Sequence, residues 1–319
     1  MKHVLLPMLL SAVLAAPAVQ AQDYPNRPVR MLLPFSAGGG GDTLGRILAE
    51  RFAAELKQPV IVENKPGAGG TIGIQSVARS TPDGYTITIG GMSTHVLSPS
   101  VYSNLPYDPV KDFVSIGAIG TSSILVVAAN DFPANDIAGL RALASSRKEP
   151  IQYGSWGMGS TGHFCGEVLV QKGNLKLQHV PYKGTTQVIT DVIGGHVDVG
   201  FVDMATATPM VTQGKVKALA VCTQRSPSVP DVRSYKEQGV DFDRELNWAM
   251  YVPAGTPKPV VAKLSSMLEK TLAEPAVVEK LLGLGITAHY IAGPTHEKAN
   301  EADIKAWKAV AQEAGIKPQ

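Results

Sequence analysis

Short apolar, β-branched runs alternate with amphipathic stretches along most of the chain. Seven such runs, over 29–33, 60–62, 85–89, 124–128, 151–153, 197–201 and 216–221, are each predicted as a strand. Helical patterns separate most of them. Behind the first run, Leu44, Ile47, Leu48, Phe52 and Leu56 recur at steps of three, one, four and four, which places them on one helix face, with Asp42 or Thr43 as the N-cap. This βαβα order predicts an α/β protein whose sheets are mainly parallel and covered on both faces.

The first 21 residues stand outside that pattern. Lys2 and His3 precede an apolar run over 4–19, and the small residues of "VQA" end at Ala21. The run is short for a spanning helix and no stop-transfer pattern follows, so the segment is expected to be a secretory signal cleaved after Ala21 rather than a membrane anchor. No cysteine at the cleavage point offers a lipid attachment.

Across all 319 residues, 44% are apolar and 18% charged, enough for one large core or two medium ones. The 29 basic and 27 acidic residues nearly cancel, and no basic run or aromatic-basic interleaving points to nucleic acid. Cys165 falls in a helical pattern and Cys222 at the end of a strand. They are expected to be two buried thiols acting as small apolar residues rather than a disulfide.

No repeat or low-complexity linker divides the chain, so the boundary between lobes is sought in the connections. Apolar runs are joined through glycine and serine around 117–123, and again around 245–253. If both are crossings, 22–120 and 247–319 form one lobe and 121–246 an inserted second one, with a hinge at the shared edge.

Four glycines, 38–41, lie between the first strand and its helix. A glycine turn opening a helix presents backbone N–H groups to an anion. The nucleotide fingerprints do not fit: counted from Gly38, the closing glycine of G-x-G-x-x-G is Thr43, and no lysine follows as in a phosphate-binding loop. A carboxylate suits such a turn as well as a phosphate does.

Polar turns of small residues recur after later strands, at 90–95 ("GGMSTH") and 154–163 ("GSWGMGSTGH"), where open α/β sheets place ligands. Neither Ser155 nor Ser160 sits in a G-x-S-x-G elbow. His163, His179 and His196 lack metal-ligand spacing, so no metal or cofactor is expected. Lys183 and Asp203, each at a strand tip, face either solvent or a cleft; Asp203 would repel a carboxylate but pair with an ammonium or a hydroxyl.

The stretches "YPNRPVRMLLPFSAGGGGD", "VENKPGAGGTIG", "PDGYT", "YGSWGMGSTGH", "HVPYKGTT", "GGHVDVGF", "GKVKALAV" and "VPAGTPKP" follow one another in register. Together they resemble the Bug family, the periplasmic solute receptors of tripartite tricarboxylate transporters, over the whole chain behind the signal. The resemblance implies a two-lobed periplasmic-binding-protein fold with two crossover strands, no catalysis, and a monomer that delivers a small organic carboxylate to transporter membrane subunits. Phe35, Ser36, Ala37, Gly38, Gly39 and Asp42, with Met92, Ser93 and Thr94, are by resemblance expected to bind one carboxylate. The second lobe closes with Ser155, Trp156, Gly157, Ser160, His163, Tyr182, Lys183, Gly184 and Asp203. Val202 and Cys165 depart from the family's usual polar and small residues. Trp156 adds a flat surface on which an aromatic carboxylate could stack, while aliphatic dicarboxylates stay equally open. A receptor serving a sensor kinase, or an exported enzyme on the same scaffold, are the alternatives.

Overall fold

A computed structural model describes residues 24–313 and 318. The signal segment and its cleavage point lie outside the described residues. The strands are β1 (Val29–Leu33), β2 (Val60–Asn64), β3 (Thr86–Gly91), β4 (Phe113–Ser122), β5 (Ile124–Ala128), β6 (Ile151–Ser155), β7 (Leu177–Pro181), β8 (Val199–Asp203), β9 (Lys217–Val221), β10 (Leu246–Pro253) and β11 (Thr287–Ala292). They form two sheets, ordered β11-β4-β10-β3-β1-β2 and β7-β6-β8-β5-β9. The chain thus builds the first sheet, passes into the second through Ser123 alone, and returns through β10.

The helices are α1 (Gly40–Leu56), α2 (Thr71–Ala78), α3 (Ser98–Val101), α4 (Ile137–Ser146), α5 (Thr161–Gln171), α6 (Thr185–Ile193), α7 (Met204–Thr212), α8 (Lys258–Ala273), α9 (Pro275–Gly283) and α10 (Gly293–Glu313). The predicted face of α1 is the one that packs. Leu44, Leu48, Phe52 and Leu56 are buried with Val29, Met31 and Leu33 of β1 and with Leu264 and Leu268 of α8, while Ile47 is half-buried at the edge of the cluster. Each such side chain taken from water stabilises the fold by about 1.5–3 kcal/mol.

The two-lobed α/β architecture is as expected, but the sheets are mixed rather than mainly parallel. Of the nine pairings between named strands, four are parallel and five antiparallel. The reason lies in the crossings. The outgoing β4 and the returning β10 run side by side in opposite directions, from Leu246 opposite Ser122 to Pro253 opposite Phe113. In the second sheet β5 lies antiparallel between β8 and β9.

The cysteines also differ from expectation. Cys165 and Cys222, 57 positions apart in sequence, form a disulfide with Cα atoms 6.0 Å apart. The Cys222 N–H donates to the Ile124 carbonyl, so the pairing of β5 with β9 carries Cys222 beneath α5. That long-range pairing has no trace in cysteine spacing. Val202, by contrast, is fully buried in the second sheet's core, where an apolar residue needs no partner.

Helix α10 belongs to both halves of the molecule. Its start packs on β4, where a Cβ at Gly293 would lie 2.1 Å from the Ser115 carbonyl oxygen. Farther along, Trp307 meets Phe164 of α5 edge-on at 4.9 Å and Phe242 at 5.8 Å.

Candidate functional site

The carboxyl ends of β1, β3, β6 and β8 open on one cleft between the sheets. It encloses about 710 Å³ of empty space, counting its open mouth. Its walls come from the turn after β1 (Pro34, Phe35, Ser36, Gly39, Gly40, Gly41), from Gly70, from the end of β3 and the π-helical turn Met92–Leu97 (Gly90, Gly91, Met92, Ser93, Thr94), and from the crossings (Ser122, Ser123, Ile124, Leu246, Asn247, Trp248). Trp156, Thr161, Lys183, Gly184, Thr185 and Asp203 close it from the other side. Apolar surface dominates, with Phe35 set edge-on to Trp248 at 5.2 Å. Among the described residues Lys183 is the one cation of the lining, and it is exposed.

The turn after β1 is shaped by glycine. Gly38 has φ +76°, a left-handed conformation that suits glycine. Gly39, the N-cap of α1, has no side chain to cap the helix. The Gly40 N–H instead donates to Thr206 Oγ1 of α7 at 2.8 Å, from across the cleft. Approach is so close that a Cβ at Gly40 would lie 2.0 Å from Asp203 Oδ1, and one at Gly184 2.1 Å from Ser36 Oγ. Three further bonds span the cleft: the Thr161 N–H donates to Ser93 Oγ at 3.1 Å, Ser93 Oγ donates to Thr161 Oγ1 at 3.4 Å, and Tyr102 Oη donates to the Met158 carbonyl at 2.8 Å.

Ten of the eighteen expected residues line this cleft: Phe35, Ser36, Gly39, Met92, Ser93, Thr94, Trp156, Lys183, Gly184 and Asp203. Two of these use their polar groups internally. Thr94 Oγ1 accepts from the Gly91 N–H at 3.2 Å and lies 2.9 Å from His95 Nδ1. Asp203 is the N-cap of α7, accepting from the Thr206 N–H at 2.9 Å and from its hydroxyl. Burial raises the pKa of Asp203, an effect that hydrogen bonds from Thr206 and Thr185 oppose.

Eight expected residues do not line the cleft: Ala37, Gly38, Asp42, Ser155, Gly157, Ser160, His163 and Tyr182. Asp42 braces the first turn from behind. Its carboxylate accepts from the Gly38 N–H at 2.9 Å, Arg46 Nε at 3.0 Å and Asn64 Nδ2 at 2.9 Å, and Asn64 Nδ2 also donates to the Phe35 carbonyl. Burial pushes its pKa up, but the bonds from Arg46, Gly38 and Asn64 with the Arg46 charge prevail and hold it below the usual carboxylate range. Tyr182 turns away to donate to Asp191 at 2.8 Å; burial first, then that carboxylate, pushes its pKa up to about 12.

The remaining residues build the floor of the second turn. Ser160 caps α5 by accepting from the His163 N–H at 3.1 Å, and its hydroxyl donates to the Gly157 carbonyl at 2.6 Å. Ser155 Oγ lies 2.7 Å from His179 Nε2, whose ring sits 4.4 Å from that of His163. A serine beside a histidine is the geometry of an activated nucleophile. Ser155 is wholly buried, however, and its hydroxyl is shared with the Gly157 carbonyl and Ser160. Burial lowers the pKa of His163 to about 4 and, with the His163 charge second, that of His179 to about 3, so both are neutral at pH 7.

Sequence reasoning missed the crossing strands as walls. Asn247 and Trp248 stand in a stretch whose glycine and serine neighbours suggested only a hinge. Thr161 and Thr185, each opening a helix after a glycine or serine, carried a signal that could have placed them.

These features coincide with a known family. A family model described as tripartite tricarboxylate transporter family receptor matches residues 44–316. The chain belongs to that family. It is 30% identical to BugT of Bordetella pertussis over 313 residues, 97% of this chain and 95% of the relative. Among solved structures it is similar to Rpa4515 of R. palustris with adipate (TM-score 0.89, 28% identity, 93% of this chain and all of that one). MatC of Rhodopseudomonas palustris with bound malate is similar too (TM-score 0.83, 29% identity, 90% of this chain and 99% of that one). Membership carries the periplasmic-binding-protein fold and the role of solute receptor. Among the described residues no helix is long and apolar enough to cross a membrane.

Proposed function

We propose that this protein is exported, with cleavage after Ala21, and acts as a monomeric receptor. It closes on a small organic carboxylate in the cleft and delivers it, without catalysis, to the membrane subunits of a tripartite tricarboxylate transporter. The observation that carries this reading is the unfinished N-terminus of α1. Its cap is a glycine, and its first N–H is satisfied from the opposite wall by Thr206. Such a terminus favours a carboxylate by its dipole. Adipate in Rpa4515 and malate in MatC show that relatives hold diacids.

In this reading 22–120 and 247–319 form the first lobe, 121–246 the second, and the connections at 117–123 and 245–253 bend. Helix α10 straps both lobes. The turn at 35–39 and Met92, Ser93 and Thr94 hold one carboxylate, the first turn braced by Asp42. Trp156, Lys183, Gly184 and Asp203 meet the ligand's far end. With Phe35, Trp156 and Trp248 around its middle, the cleft suits a ligand whose body is apolar, aliphatic or aromatic.

A thermal-shift panel of mono-, di-, tri- and aromatic carboxylates tests this. A ligand at one hundred times its dissociation constant adds about 2.7 kcal/mol of stability, and X-ray scattering should show compaction with it. A panel in which no carboxylate raises the melting temperature overturns the reading.

A further inference from the structure

Among the described residues, three of the seven buried side-chain polar atoms without a partner belong to one second place. Tyr251 Oη, His296 Nε2 and Asn300 Oδ1 are buried without a hydrogen-bond partner, on residues 3%, 2% and 5% exposed. All three residues line one cavity, with about 690 Å³ of empty space counting its mouth, and no residue of the cleft lines it. It lies between the first turns of α10, the start of β4 and the end of β10.

The fold brings these groups together for local reasons. His296 and Asn300 are four residues apart on α10, hence on one face. Ser115 stands opposite Tyr251 in the β4–β10 ladder, and its Oγ lies 2.9 Å from His296 Nδ1, which seats the imidazole beside Tyr251 with ring centroids 5.8 Å apart. The Tyr251 ring is stacked on His95 at 3.8 Å and nearly parallel, with Phe113 edge-on at 6.3 Å. An unmade hydrogen bond in the interior is destabilising. Here three are kept on residues that line one cavity open to solvent.

We propose that this cavity is a second ligand site, for a small primary ammonium ion. The amide oxygen of Asn300 can only accept, and the Tyr251 oxygen and an imidazole nitrogen can accept as well; an –NH₃⁺ group offers three donors and no acceptor. With His296 Nδ1–H donating to Ser115 Oγ, Nε2 presents its lone pair to the ligand. The charge balance agrees. Glu297 and Glu301 both line the cavity at its exposed rim, and one Glu297 oxygen is held by the Ser115 N–H at 2.9 Å. The one lining cation, Lys111, is 82% exposed and paired with Asp108 at 3.3 Å. Burial lowers the pKa of His296 to about 4, so it adds no positive charge at pH 7.

Calorimetry of ethylammonium chloride into the ligand-free protein at pH 7 tests this, with sodium chloride at equal ionic strength and ethanol as controls. Saturable binding of ethylammonium alone is expected. Tyr251→Phe, which keeps the ring and removes the acceptor, should weaken it about tenfold or more, as should Asn300→Leu. Circular dichroism confirms the fold of each variant, and Tyr251→Phe decides alone if Asn300→Leu unfolds. The proposal is overturned by the absence of saturable binding, by equal binding of sodium or ethanol, or by unchanged affinity in Tyr251→Phe. None of these results bears on the carboxylate cleft, which shares no residue with this cavity.

Discussion

Two turns of the same plan, strand then small residues then helix, face each other across the cleft and are finished in opposite ways. The turn after β1 ends in a glycine cap, and the Gly40 N–H finds its partner in Thr206 of the opposite wall. The turn after β6 finishes itself: Ser160 caps α5, and Ser155, His179 and the Gly157 carbonyl knit the loop from below. One helix terminus is left to be completed from outside; the other arrives complete and serves as a rigid wall carrying Trp156. Glycine content is similar in both. The cap residue separates them.

The largest effect should come from closing the first turn's open space. In Gly40→Ala the new Cβ would meet Asp203 Oδ1 at 2.0 Å and Ala205 Cβ at 2.5 Å, both across the cleft. Overpacking costs about 1–3 kcal/mol, which lobes that open can relieve, so carboxylate affinity should fall by about 5- to 150-fold and the ligand-free melting temperature should fall less than for a clash inside one wall. Gly162→Ala meets Trp156 and the Phe201 carbonyl within its own wall, and should lower the melting temperature more. Calorimetry and thermal melts on the pair test the contrast, and a reversed pattern breaks it.

Of the two turns, acid should attack the self-finished one first. His163 and His179 have folded pKa values of about 4 and about 3, below the ordinary 6.5. Between those values the unfolded chain binds more protons, so their contribution is complete above pH 6.5 and is lost as pH falls toward 4 and 3. At pH 5 the loss for His163 is about 2 kcal/mol. Melting temperatures from pH 7 to 4 should fall, and His163→Gln should flatten the curve.

The smallest effects concern the caps. Ser160→Ala should cost about 1 kcal/mol of stability with little change in affinity. Ser93→Ala removes the acceptor that Thr161 finds across the cleft, and should weaken carboxylate binding about fivefold with little change in stability. Equal effects of both variants on both readouts would erase the distinction between the turns.

Much of this was legible beforehand. Seven strands were found near their observed places, and the α1 face was read from spacing because a buried helix stripe must recur at three and four residues. The turns at 35–39, 92–94 and 155–163 were found because glycine and hydroxyl residues behind a strand announce themselves locally. Which atoms of those turns face the cleft was not legible. Thr94, Asp203 and Tyr182 each had two places to send a polar group, and only the packed neighbours decide between them. Strand β7 was expected only through its tip before Lys183, β4 and β10 only as crossings, and β11 was not predicted. Glycine and serine in β4, and the lack of clean alternation in β11, hid them.

The sequence by itself determined what depends on near neighbours along the chain: strand and helix periods, the left-handed turn at Gly38, the caps at Asp136 and Ser160, and an α/β chain of two lobes. Tertiary structure alone decided what depends on residues far apart. The antiparallel ladder of β4 with β10, the Cys165–Cys222 bond, the seat of Trp307 against Phe164, and the meeting of Gly40 with Thr206 each join segments dozens to hundreds of positions distant. Such contacts follow from the burial of whole faces and the matching of sheet edges, and no short window of residues carries that information.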